Sequence, residues 1–261
     1  MRRESTSSKK QSFWELLLYP LPLILFLIVW HLLTHNNPQQ QFIFSSPEQV
    51  CQAVVRLTSN GELFRNSGIT VFEALCGFVL GTAAGATIGL ALWYSRLVAQ
   101  IAKPYITALA TVPIFALAPI VIVWFGIGIL SKVMLAFIST IAVAIVQSYQ
   151  GAMAVDDKYL KLMKVMGASR LQTFRLVVIP SSLIWVVNAM KLNIGLALLG
   201  AFIGEFISAE EGLGYMIVKA SGLYDMATVI VGITALIVIA LLLTQLVDLL
   251  EKRLMRWQSV S

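Results

Sequence analysis

Charge is what this chain has least of. Of 261 residues only 12% are Asp, Glu, Lys or Arg, about half the share of an ordinary soluble domain. In its place 58% of the residues are hydrophobic, with a mean hydropathy of +0.84. A water-soluble enzyme or binding module is excluded on that ground, and an integral membrane protein is expected. Cysteine is nearly absent too. Cys51 falls in a polar connection and Cys76 inside an apolar run, with no CxxC or metal spacing. No disulfide framework or thiolate metal centre follows, and both read as packing residues. No G-x-x-x-x-G-K-[ST] stretch occurs, so the chain has no phosphate loop of its own. The two histidines, His31 and His35, have no acidic neighbour close in sequence. A membrane-embedded enzyme needs a nucleophile with its base, or a metal cluster; no catalytic or metal residue is therefore nominated.

Long apolar runs are abundant. About 20 such residues cross a bilayer as a helix, and six runs qualify: Leu16 to Leu33, Ile69 to Trp93, Ile101 to Phe125, Ile129 to Tyr149, Leu183 to Ile203 and Ala227 to Val247. The fold class is thus an all-α membrane protein with six spans and no separate domain. The expected layout is a tail at 1–15, a first span at 16–33, a connection at 34–68, and a five-span core at 69–250 containing a loop at 151–180. Pro104, Pro113 and Pro119 predict a kink or late start in the third span. The basic N-terminus before the first run imitates a secretory signal, but no small-x-small cleavage site follows, so a retained anchor is expected.

The basic residues lie between the runs rather than along one face, which argues against nucleic-acid binding. Fourteen Lys and Arg fall on one side of a six-span layout. They include Arg96, Lys103, Lys158, Lys161, Lys164, Arg170, Arg175, Lys252 and Arg253. Four (Arg56, Arg65, Lys132 and Lys219) fall on the other. The positive-inside rule makes the first side, and both termini, cytoplasmic. On that side KYLKLMKVMGASRLQTFRLVVIP (158–180) stands out as a basic, helix-forming segment broken at Gly167. Leu160, Met163, Val165 and Met166 offer an apolar patch among its lysines. That patch suits docking onto another protein, or else the segment lies on anionic headgroups.

Polar residues within the runs are candidates for a transport pathway. Lys191 costs about 2.5–3.5 kcal/mol at the centre of a span, so it must face protein, water or solute; pairing near the cytoplasmic end is the alternative. Asn188 and Gly195 share its helix face, and the patch suits an anion. Gln147, Ser148 and Asn193 line a pathway or bond between helices. Glu73 and Glu205 pair with a basic residue or are solvated, the latter at the outer boundary. Gly77, Gly81, Gly85 and Gly89 form a ridge for close helix packing.

Gly167, nine residues, then Val177-Val178-Ile179-Pro180 resembles the second half of the EAA loop of bacterial ABC-importer permeases. That pattern runs Glu-Ala-Ala, three residues, Gly, nine residues, Ile, one residue, Leu-Pro. VPIFALAPIVIVWFGIGILSK (112–132), GEFISAEEGLGYMI (204–217) and GFVLGTAAGATIGL (77–90) are similar to the nitrate/sulfonate/taurine/bicarbonate group of that family. The likeness runs over about 65 to 250. Lys161, Leu162 and Met163 occupy the Glu-Ala-Ala positions, so the charge is reversed there, and Ala142-Val143 and Gln147-Ser148 depart from the group's fourth span.

The resemblance implies a type I importer permease fold working in an alternating-access cycle. Its ATPase-coupling loop would contain Lys161, Leu162, Met163, Val165, Met166, Gly167, Ala168, Ser169 and Pro180. It further implies a second permease copy, two cytoplasmic ATPase subunits that hold ATP and magnesium, and a periplasmic or lipid-anchored binding protein met at Glu210 and Glu211. The chain itself would carry no cofactor. The implied solute is an oxyanion or sulfonate, with a thiamine or riboflavin precursor as the alternative. A stand-alone secondary carrier predicts inverted repeats, and the proline-rich third run has no counterpart in the other half.

Overall fold

A computed structural model of the chain describes residues 20–254. The tail expected at 1–15, the start of the first run and Arg256 lie outside the described residues. Those that are described build twelve α-helices with short connections. Helix α1 (Leu21–His35) leads into two short helices, α2 (Pro38–Phe44) and α3 (Pro47–Ser59). Each of these begins with a side-chain cap, Asn37 or Ser46, followed by proline at the first helical position, where its missing N–H costs nothing. The connection at 34–68 is therefore helical rather than extended. Helix α4 (Glu62–Ala91) starts seven residues before the run read from hydropathy and ends in a 3₁₀ turn, Leu92–Tyr94.

The third run is not straight. Helix α5 (Arg96–Thr111) and α6 (Ile114–Phe125) meet at a bend of 95°. Pro113 sits at the break, where it lacks the N–H that would continue the helix and biases Val112 toward extended backbone; Val112 has ψ 126°. Pro104 and Pro119 lie inside their helices. Among the described residues four helical segments are long and apolar enough to cross a membrane: Glu62–Tyr94, Ile129–Met153, Arg170–Ser208 and Met226–Arg253. The bent pair makes a fifth crossing if counted as one. Helix α1, as described, is shorter.

Helix α7 (Ile129–Met153) is the hub, packed against α4 on one side and α10 (Ile179–Ser208) on the other. The glycine ridge of α4 makes this approach possible. A methyl group at Gly77, Gly81, Gly85 or Gly89 would overlap Ala136, Thr140, Ala144 or the Ile145 carbonyl of α7. Gly200 of α10 lies equally close to Ala136 and Leu135. In lipid, burying apolar surface between helices gains little, and close van der Waals packing by small residues takes over. Ala74, Phe78, Ala136, Ala197 and Ala201 form the resulting core. Helix α1 and α12 (Met226–Leu254) turn Leu23, Phe26, Leu32, Ile237, Leu241 and Leu242 outward, as a lipid-facing surface requires.

Candidate coupling surface and polar cluster

The two ends of the bundle differ in charge and construction. At the basic end, between α7 and α10, lie α8 (Asp157–Val165) and α9 (Arg170–Thr173). Asp156 caps α8 by accepting from the Lys158 amide at 2.8 Å. The helix then stops in a Schellman turn. The Ala168 amide donates to the Met163 carbonyl and the Gly167 amide to that of Lys164, with Gly167 at φ +73°. That left-handed conformation is the reason for glycine here. Ser169 and Gln172 immediately close a capping box that starts α9. Gly-Ala-Ser-Arg-Leu-Gln is thus a stop followed by a start.

The apolar patch differs from the one expected. Leu160 turns inward and packs with Phe174 and Val177 against Ala152, Val155 and Val178. Leu162 takes its place outside. Val165 is 86% and Met166 72% exposed, and Leu162 is 54% exposed, beside the exposed Lys161 and Lys164. Met163 and Ala168 are half-buried. Arg170 ties the segment to the end of α4. Its guanidinium donates to the Tyr94 carbonyl and lies 5.4 Å from the Trp93 ring and 5.5 Å from the Tyr94 ring. Phe174 packs on the same two rings.

Pro180 does not separate the loop from the following span. The helical path runs unbroken from Arg170 to Ser208, with one π-helical stretch, Phe174–Val178. Proline lacks an N–H and its ring crowds the carbonyl four residues back; a π turn just before it accommodates both.

The five residues nominated for a pathway do not converge. Lys191 is bound to α12, 2.9 Å from Asp248 and 2.6 Å from Glu251. Asn188 is exposed. Asn193 is buried and donates to Thr82 Oγ1 at 2.9 Å, its Oδ1 unpartnered. Three neighbouring side chains of α10 therefore point three ways. Ser148 is buried in α7 without a hydrogen-bond partner, and Gln147 is half-buried.

The opposite end holds a buried charge cluster, which decides between the two readings of Glu73 and Glu205: they are not solvated but packed around Lys132. Glu205, 1% exposed, accepts from the Thr70 hydroxyl and from the Gly214 amide, each at 2.6 Å. Thr70 Oγ1 accepts from the Leu213 amide and Asn66 Oδ1 from the Gly212 amide, both at 2.9 Å. The three amides that open α11 (Leu213–Gly222) have no helical partner; Asn66, Thr70 and Glu205 supply one each. Lys132, 2% exposed, donates to the carbonyls of Ile127, Gly128 and Ser208, which fastens the end of α10 to the turn before α7. Glu73 lies beside Glu205 and Lys132. The clue in the sequence is Asn66, Thr70 and Glu73 at helical spacing on one face, but their partners are more than a hundred residues away.

A cavity of about 510 Å³ opens over this cluster, lined by Glu73, Lys132, Ser208, Glu210 and Glu211. Glu211 pairs with Arg65 at 3.3 Å. A second cleft, about 690 Å³, lies between α2, α3 and the start of α12. There Arg56 donates to Asp225 Oδ2 and Thr228 Oγ1, both at 2.9 Å. Burial works to raise the Asp225 pKa, but the Thr228 amide and hydroxyl and the Arg56 guanidinium outweigh it and hold the carboxyl below its ordinary value. His31, which has no acid close to it in sequence, meets Glu48 of α3 at 2.8 Å.

Residues 77–256 match the family of binding-protein-dependent transport system inner membrane components. The chain belongs to that family; it is a multi-pass permease subunit of an ABC importer. It is 31% identical over 246 residues to the riboflavin transport system permease protein RibX of Chloroflexus aurantiacus, covering 94% of this chain and 92% of that one. It is 28% identical to the formylaminopyrimidine transport permease protein ThiX of Halalkalibacterium halodurans, covering 90% and 93%. A Bacillus subtilis protein named for aliphatic sulfonate transport, SsuC, is 27% identical, covering 98% and 92%. Among solved structures, the MetNI methionine ABC transporter in an inward-facing form superposes with a TM-score of 0.68 at 16% identity, over 76% of this chain and 98% of that one, which shows a shared fold.

Proposed function

We propose that the basic end is cytoplasmic and that α8, through Leu162, Val165 and Met166, is the seat of a separate ATPase subunit. One observation carries the proposal: large apolar side chains stand exposed among lysines, on a short helix between two spans that is held by caps at both ends. Exposed apolar groups so placed mark a protein contact. Lys161 replaces the acid usual for the family, so the socket it enters is expected to be less basic than usual. Arg170 then carries ATPase motion to α4, and the unbroken helix from Arg170 to Ser208 carries it to α10.

In this reading the chain is one permease domain, 1–261, with six crossings, both termini in the cytoplasm of a bacterium and the coupling loop at 151–180. It works in the cytoplasmic membrane as a homodimer with two ATPase subunits, which hold ATP and magnesium. A periplasmic or lipid-anchored binding protein delivers a small solute at the opposite end, near Glu210 and Glu211. Alternating access moves the solute. The relatives' names span aliphatic sulfonates, riboflavin and formylaminopyrimidine. Lys191, the residue that spoke for an oxyanion, is held by two carboxylates.

The test is co-purification. The tagged chain is solubilised from its native membrane in mild detergent, as wild type and as the Val165→Asp, Met166→Asp double variant. An ATPase subunit is expected with the wild type and not with the variant, whose melting temperature stays unchanged. An ATPase retained by the variant contradicts the assignment.

A further inference from the structure

We infer that the cavity over the buried cluster receives a cationic, hydrogen-bond-donating group of a small solute, such as an ammonium or amidinium, rather than an oxyanion. The inference rests on the transport reading and narrows its solute. A lysine side chain has three N–H donors, and those of Lys132 go to three backbone carbonyls. Arg65 is engaged by Glu211, and the amides of Gly212, Leu213 and Gly214 are taken by side chains. The donors of Lys132 and of these three amides are therefore spent, while two acceptors on the cavity wall are not. Glu73 is 2% exposed, its Oε2 has no hydrogen-bond partner, and it lines the cavity. The Ser208 hydroxyl, on the same wall, is also buried and unpartnered.

Charge points the same way. Four carboxyl groups (Glu73, Glu205, Glu210 and Glu211) surround the cavity and its floor, Glu73 and Glu205 side by side, against two cations, Lys132 and Arg65. A buried carboxyl oxygen without a hydrogen-bond partner is costly, and a donor cation supplies the missing bond and suits the acidic surroundings. Among the described residues no three His, Cys, Asp or Glu side chains converge as a metal site, which favours an organic cation. Ile69 and Ile129 line the cavity as well, so a flat ring beside the cationic group fits it.

The experiment uses the full chain in its purified assembly and two probes of one shape and opposite charge, benzylammonium and phenylmethanesulfonate, with binding followed by calorimetry. Benzylammonium is expected to bind and the sulfonate not to. Glu73→Gln weakens benzylammonium by about ten-fold or more, the scale of a lost charge-assisted bond; Ser208→Ala weakens it by about three-fold; Glu48→Gln changes nothing. Should Glu73→Gln fail to fold, Ser208→Ala and the probe pair decide. Sulfonate binding as tight as ammonium binding, binding of neither, or an unaltered affinity in both variants overturns the inference. So does sodium chloride competing as well as benzylammonium does, since that marks an inorganic-cation site. Failure here while the ATPase still co-purifies removes the solute class and leaves the transport reading standing.

Discussion

The two ends of this bundle solve opposite problems. At the basic end the side chains that matter stand outside, and the backbone beneath them is fixed locally by Asp156, Gly167 and the Ser169–Gln172 box. At the other end a polar cluster is buried and held largely by partners from distant helices: Asn66 and Thr70 by α11, Glu205 by Thr70 of α4, Lys132 by the end of α10. An end built from local bonds can engage a partner and yield without disturbing the core. One built from buried long-range bonds cannot move without breaking them. The difference suits the coupling role proposed for the basic end, and it makes the opposite end a fixed framework around a cavity.

The comparison breaks most sharply if Glu205 is dispensable. Glu205→Ala strands the Gly214 amide, worth about 1–3 kcal/mol when buried unpaired, and leaves the Thr70 hydroxyl only its 3.1 Å bond to the Asn66 carbonyl. We expect a loss of about 3 kcal/mol, seen as a lower melting temperature of the whole protein and milder with Glu205→Gln, which keeps one acceptor. A wild-type melting temperature for the alanine variant removes the framework role. A smaller effect tests the basic end. Gly167→Ala meets no neighbouring atom, so its whole cost is the left-handed backbone, about 1–2 kcal/mol. It is expected as faster hydrogen exchange in α8 with an unchanged global melt. A fall in the global melt would mean that the coupling segment is not a local unit.

The smallest effect is at Asp225. Its folded pKa lies below the ordinary 3.8, so its stabilisation is fully present above that value and is lost as the pH falls through the lower folded value. The pair with Arg56 is partly exposed, and solvent screening keeps its worth under about 1 kcal/mol. The melting gap between wild type and Arg56→Ala is expected near neutral pH and should close at about pH 3 or below. A gap that persists there assigns it to the Arg56–Thr228 bond instead.

What was legible in the sequence follows the same division. Gly167, Ser169 and the segment around them were read correctly as a broken helical element, because a stop and a cap are written in adjacent residues. The glycine ridge of α4 was legible from its period of four, and it packs against α7 as a ridge should. Leu160 and Leu162 exchanged roles because hydropathy does not tell which face of a two-turn helix meets Val155 and Val178. That Lys191 could be paired was legible, but its partners were not, because Asp248 and Glu251 lie nearly sixty residues on. The Glu73, Lys132 and Glu205 cluster stayed hidden for the same reason, since only the packed helices bring it together.

The central claim is that α8 at the basic end, and not the opposite end, meets the ATPase. A photo-crosslinking amino acid placed singly at Val165 and at Glu211, in the chain within its native membrane, tests it directly. The account predicts that the Val165 probe captures a subunit with a nucleotide-binding phosphate loop, identified by mass spectrometry, and that the Glu211 probe does not. Capture of that subunit from Glu211, or of lipid alone from Val165, would contradict it.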